Sequence, residues 1–234
     1  MHKILKVILK ICCLIMLLDA IMPSALSEYF PFYLLSVLGS ILLYTVGALA
    51  IAAYVIPMVS KRKPTSDSTL VIHDLSPGTI EELFPDAKNT KFFCASRKIA
   101  HCSGHYACWL KSPGVCALHD GVENLGDEIS NCGTLIIISK SLYGGLGVDV
   151  KSALDRSISF ALPFFHVRNK ELHHQVRYKQ GGTLQAYIYN SDELGQGDKD
   201  AIDQIIRAIG VNMDKHSCET VFVGDTKHLS EVLA

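Results

Sequence analysis

From Tyr29 to Ser60 the chain carries no charged residue, and Lys61-Arg62-Lys63 ends that run abruptly. The run exceeds the roughly 20 apolar residues that a helix needs to cross the hydrocarbon core of a bilayer. Tyr29, Tyr33 and Tyr54 lie toward its ends, and Gly39 and Gly47 are small residues of the kind that membrane helices carry. It predicts a transmembrane helix over 29–60 with its basic end in the cytoplasm.

The segment before it, 4–26, is interrupted by Lys6, Lys10 and Asp19. Three readings fit it. As a first membrane helix it completes a hairpin, with Lys3, Lys6 and Lys10 on the same side as Lys61, Arg62 and Lys63. As a signal peptide it has a basic start, a short apolar stretch and small residues at Ser24-Ala25. As an interfacial amphipathic helix it leaves a single span after it. The expected organisation is an anchor over 1–63, of one or two transmembrane helices, a polar linker over 64–68 and one domain over 69–234. The expected location is the cell membrane, with the large domain cytoplasmic.

Of the 22 Lys/Arg and 23 Asp/Glu in the chain, six and two fall in 1–63, which leaves 16 and 21 in the rest. That acidic balance, with no basic cluster after Lys63, argues against a nucleic-acid partner. Eight cysteines do not make a disulfide framework here. Cys12 and Cys13 lie in the apolar N-terminal segment, and Cys94, Cys132 and Cys218 stand alone beside apolar stretches, as buried reduced thiols do.

Short apolar runs recur at 70–72, 91–94, 134–138, 184–189 and 220–223, with helical stretches between them at 79–84, 122–129, 148–160 and 198–209. Gly210 stands where the last helix would be capped. Strands alternating with helices predict an α/β fold, a doubly wound five-stranded parallel sheet between helical layers. Any ligand then lies beyond the carboxyl ends of the strands, where the strand order reverses.

The segment Lys98-Ile99-Ala100-His101-Cys102-Ser103-Gly104-His105-Tyr106-Ala107-Cys108-Trp109, followed by Ser112-Pro113-Gly114-Val115-Cys116 and His119-Asp120-Gly121, narrows this further. After it come Tyr143-Gly144-Gly145, Lys151-Ser152-Ala153-Leu154-Asp155-Arg156 and Leu162-Pro163-Phe164-Phe165. These blocks resemble the flavodoxin-like NADPH-dependent FMN reductase family and its iron-sulfur flavoprotein relatives. The likeness covers about 69–224. It implies a three-layer flavodoxin-like domain with FMN as cofactor, NAD(P)H as donor, a small-molecule electron acceptor and a homodimer.

On that resemblance the flavin-facing loop is Ser141, Tyr143, Gly144 and Gly145, with Tyr143 stacking on the isoalloxazine ring. Lys140 replaces the family's usual proline, and the aromatic is displaced by one position. The phosphate would lie against Ser76, Gly78 and Thr79, after the first strand. That loop lacks the family's longer Gly-Ser-Pro-Arg run, and Asp74, Glu81 and Glu82 bring negative charge to it. Its other reading is an ordinary N-capped helix.

Asp155 and Arg156 read as a structural pair on their helix. Cys102, His105, Cys108 and Cys116 are candidates for a metal or for a Cys102/Cys108 redox pair, and otherwise form a structural loop packed by Trp109. No residue stands out as a catalytic acid or base. The leading expectation is a membrane-anchored oxidoreductase that uses FMN and NAD(P)H to reduce a flavin, quinone or similar acceptor. The alternative is a flavodoxin-like binding or sensing module with a degenerate phosphate loop, and a third reading is a metal or redox sensor.

Overall fold

The computed structural model describes residues 30–58, 65–178 and 181–233. The chain divides into two compact units, Met1–Met58 and Val59–Ala234.

In the first unit, helix α1 (Phe30–Met58) has 29 residues. Its described side chains leave Leu38, Ile41, Leu42, Leu49 and Ile51 exposed. Side chains are described for 37–53 of it, and among the described residues no helix is long and apolar enough to cross a membrane, so the expected crossing is not shown. The first helix expected over 4–26 lies outside the described residues.

In the second unit, five strands pair in parallel: β1 (Thr65–His73), β2 (Thr90–Cys94), β3 (Cys132–Leu142), β7 (Thr183–Tyr189) and β8 (Ser217–Phe222). Their order is β2-β1-β3-β7-β8, the order of a flavodoxin-like doubly wound sheet, with the reversal between β1 and β3. Val71, Ile72, Ile136, Ile137, Ile138, Ala186 and Ile188 are buried, as central strands covered on both faces require. Two cores result. On one face Val71, Ile136, Ile138 and Tyr187 pack against α2 (Pro77–Leu83) and α7 (Leu229–Leu233). On the other, Leu70, Ile72, Leu135 and Ile137 meet α4 (Leu125–Asn131), α5 (Val148–Arg156) and α6 (Gln196–Asn212).

The expected five strands are all present, with three differences around them. Residues 65–68, expected as linker, belong to β1, because Thr65 already pairs with Cys132 across an irregularity in register. Gly210 does not end α6, which continues to Asn212. It is buried instead, and a Cβ there would lie 2.0 Å from Cys218 Sγ, so its lack of a side chain lets α6 lie close on β8. The helix expected over 148–160 is α5 followed by a 3₁₀ turn (Ser157–Phe160).

Short elements are additional, α7 among them. A four-residue helix α3 (Ala107–Leu110) follows the cysteine-bearing segment, and β4 (Gly145–Leu146) folds back on β3. The antiparallel hairpin β5 (Ala161–Arg168) and β6 (Glu171–Val176) stands off the main sheet, turning at Asn169 and Lys170 with positive φ.

Candidate functional site

Asp74 directly follows β1 at the carboxyl edge of the sheet, where a doubly wound fold holds its ligand. Its Oδ2 accepts a 3.1 Å hydrogen bond from the Lys140 backbone N–H, at the end of β3. Its Oδ1 accepts a 3.0 Å bond from the Tyr189 hydroxyl, at the end of β7. Its own N–H donates to the Ile138 carbonyl at 3.3 Å, and its carbonyl accepts from Ser96 Oγ at 2.8 Å. The carboxylate thus joins the ends of three strands.

Close packing locks it there. A Cβ at Gly147 would lie 2.9 Å from Asp74 Oδ2 and 3.3 Å from Ser139 Oγ, which itself accepts the Gly147 N–H at 2.9 Å. Burial raises the Asp74 carboxyl above its ordinary value, against the lowering effect of its hydrogen bonds. Burial also raises the Tyr189 hydroxyl, and the neighbouring Asp74 charge adds to it.

Ser76, Gly78 and Thr79 come together at the start of α2. Ser76 is the N-cap: its Oγ accepts the Thr79 N–H at 3.3 Å and shares a 2.8 Å hydrogen bond with Thr79 Oγ1. Both hydroxyls therefore serve the helix, whose seven residues carry Glu81 and Glu82 close behind them. A phosphate dianion needs several free donors converging on it. Here the Lys140 amide is already bound to the Asp74 carboxylate, one of the two hydroxyl protons is used in the Ser76–Thr79 bond, and Asp74, Glu81 and Glu82 bring negative charge, so this depleted donor set suits the phosphate of FMN poorly.

Ser141, Tyr143, Gly144 and Gly145 lie at the same edge. Ser141 pairs with Leu146 and Leu142 with Gly145, so Tyr143 and Gly144 form a two-residue hairpin turn. Their φ angles of 49° and 71° are the positive pair that tight hairpins need. Tyr143 points wholly into solvent, at 100% exposure. The aromatic-Gly-Gly run is thus a turn signal with its ring free.

The other expected cluster is dispersed in role. Cys102 is exposed, while Cys108 and Cys116 are buried, and all three are free thiols. His105 Nδ1 accepts the Ala107 N–H at 3.2 Å, closing a local turn. Among the described residues no group of three or more His, Cys, Asp or Glu is placed to hold a metal ion. Burial, and then the proximity of Cys116 and Cys102, pushes the Cys108 thiol up.

The organising residue of this segment is Arg156, buried to 1% exposure. Nε donates to Cys116 Sγ at 3.1 Å. Nη1 donates to the Ala100 carbonyl at 2.8 Å and Asp120 Oδ2 at 2.9 Å, and Nη2 to the Leu118 carbonyl at 3.0 Å and Asp120 Oδ1 at 2.9 Å. All five guanidinium donors are used. The guanidinium holds the Asp120 carboxyl far below the usual carboxylate range. The pairing expected between Asp155 and Arg156 is not formed: Asp155 bonds Lys151 one turn earlier, because consecutive helix residues face different ways.

Sequence reasoning placed the Asp74 charge at the phosphate loop but missed its bonds to Lys140 and Tyr189, and missed Asp120 as the partner of Arg156.

No family model matches the sequence, and no curated protein matches it either. Among solved structures, the chain is similar to rubredoxin oxygen:oxidoreductase from the anaerobe Desulfovibrio gigas, at 14% identity and TM-score 0.39, over 82% of this chain and 39% of that one. The chain therefore spans about two fifths of that protein's length. It is also similar to an NADPH-quinone reductase from P. pentosaceus, at 12% identity and TM-score 0.45, over 71% of this chain and 95% of that one. A third is an FMN-dependent NADH-azoreductase from Bacillus anthracis, at 10% identity and TM-score 0.42, over 71% and 97%. The fold assignment rests on the strand order and register described above.

Proposed function

We propose that this chain is a flavodoxin-like binding or sensing module held at a membrane by its N-terminal apolar segment, with the large domain at the cytoplasmic face. The observation that carries the reading is the Asp74 carboxylate, which takes the Lys140 amide and the Tyr189 hydroxyl for itself. A second anion beside it would meet charge repulsion and a depleted set of donors. Membrane attachment is supported by the uncharged run from Tyr29 to Ser60, by its basic end at Lys61-Arg62-Lys63 and by the 29 helical residues of α1.

A second reading is the oxidoreductase, an FMN protein that takes NAD(P)H and acts as a homodimer. What favours it is Tyr143, an aromatic ring held at the carboxyl edge in left-handed backbone and covered by nothing. Strained, exposed positions of that kind concentrate at functional sites.

A turnover assay separates the two. Purified protein is mixed with NADH or NADPH, FMN and a water-soluble quinone. The module oxidises no nicotinamide above the protein-free rate. A saturable rate that falls on Tyr143→Ala establishes the reductase.

A further inference from the structure

On the face that carries α4, α5 and α6 lies a cavity of about 590 Å³, away from the Asp74 edge. This is within the range of about 300 to 1,000 Å³ typical of small-molecule sites. One side is aromatic, with Tyr106 stacked on Trp109 at 5.4 Å between centroids and His174 against the Trp109 ring at 5.0 Å. Leu154, Ile205, Ile209 and Met213 add an apolar lining.

Most polar groups around it are already satisfied, and the Trp109 Nε1–H is a buried donor without a partner, free for an uncharged acceptor on a ligand. Lys151 is bonded to Asp155, Asn212 Oδ1 to His173 Nδ1, and His174 Nδ1 to the Leu162 carbonyl. Arg156 spends every donor on Cys116, Asp120 and two backbone carbonyls. A charged ligand would have to break these bonds, whereas an uncharged one gains from burial and ring stacking. The same bonds hold the walls in place before any ligand arrives. Ala161, Met213 and Phe160, at 1%, 3% and 5% exposure, belong to the packed core that forms the base of the cavity.

We propose that this cavity is a binding site for an uncharged, largely apolar, ring-containing small molecule, recognised by the Tyr106–Trp109–His174 wall. The proposal rests on the reading of the chain as a binding module and names what it binds. It leaves the Asp74 edge with no part in that recognition.

Trp109 is the single tryptophan of the chain and lies in the wall, so it reports on the site directly. The unit 59–234 has its own two cores and is compact by itself, which makes it the protein to test. It is titrated with the neutral dye N-phenylnaphthylamine, with Trp109 excited and the dye's emission read by energy transfer. Saturable transfer is expected. Ala208→Phe, at an exposed position of α6 on the cavity wall, weakens it by about tenfold or more. Gly78→Ala, in open space at the start of α2, leaves it unchanged.

No saturable transfer, or transfer indifferent to Ala208→Phe, overturns the proposal. So does transfer that disappears as the protein doubles in mass with concentration, because a second copy then covers the cavity. Saturable FMN binding that leaves the dye signal intact overturns the module reading and spares the cavity.

Discussion

Tyr189 donates its hydroxyl proton to Asp74 Oδ1 over 3.0 Å, across the carboxyl edge from the end of β7 to the end of β1. The Lys140 amide holds the other carboxylate oxygen from β3. These two bonds convert the crevice of a doubly wound sheet, ordinarily a place for a ligand's negative charge, into a site occupied by the protein's own.

That arrangement sets a pH dependence. An acid whose folded pKa lies above its unfolded value binds a proton on folding, so its contribution to stability falls as pH rises through the interval between the two. For Asp74 the interval opens near the ordinary value of 3.8 and ends at the raised one. Asp74→Asn removes the penalty while its amide oxygen still accepts from Lys140 and its NH₂ donates to the Tyr189 oxygen. The variant melts above wild type at neutral pH, and the advantage vanishes below about pH 3.5. Thermal denaturation at both pH values measures it.

Asp120 shows the opposite sign. Its carboxyl is held low by Arg156, so the stability it contributes is fully present above the ordinary carboxylate range and is lost as pH falls through the depressed folded value. Asp120→Ala leaves a buried guanidinium without its counter-charge and costs about 3–5 kcal/mol in urea denaturation. Its stability also depends less on pH at the acid end than that of wild type.

Gly182 tests the register of the sheet. It has φ +80°, and a Cβ there would come within 1.8 Å of the Gly133 carbonyl oxygen, just before the Thr134–Thr183 pair. Backbone cannot yield as a side-chain tip does, so Gly182→Ala costs about 3 kcal/mol or more. The loss is read as a lower denaturation midpoint, with Gly78→Ala, in open space, as the comparison.

Tyr143 carries strain and makes no compensating packing. Left-handed backbone costs an L-residue roughly 1–2 kcal/mol, part of which glycine returns through its greater unfolded freedom. Tyr143→Gly therefore raises stability by about 0.5–1 kcal/mol in the same denaturation experiment.

The three central strands were legible because each is a short, largely buried apolar run, and 70–72, 134–138 and 184–189 all fall inside observed strands. The hairpin at 161–176 was not, because its alternation places Phe165, Val167 and Leu172 in solvent and mixes them with histidines and charges, which gives no buried face to read. At the carboxyl edge, Ser76, Gly78 and Thr79 form the start of α2, and Ser141, Tyr143, Gly144 and Gly145 the β3–β4 hairpin. Their partners were invisible. Asp74 and Tyr189 are 115 residues apart in sequence, and no local pattern reports a bond over that distance. Gly210 illustrates the same limit: its neighbour Cys218 decides its role, and a cap and a close helix–strand contact look alike in sequence.

The most direct test of the occupied edge is a titration of residues 59–234 with FMN, followed by the quenching of flavin fluorescence. The expected result is no saturable binding up to tens of micromolar, because the Asp74 carboxylate takes the Lys140 amide and the Tyr189 hydroxyl and repels a second anion. Saturable, stoichiometric binding that weakens on Gly145→Trp would contradict it and return the chain to the flavin enzymes.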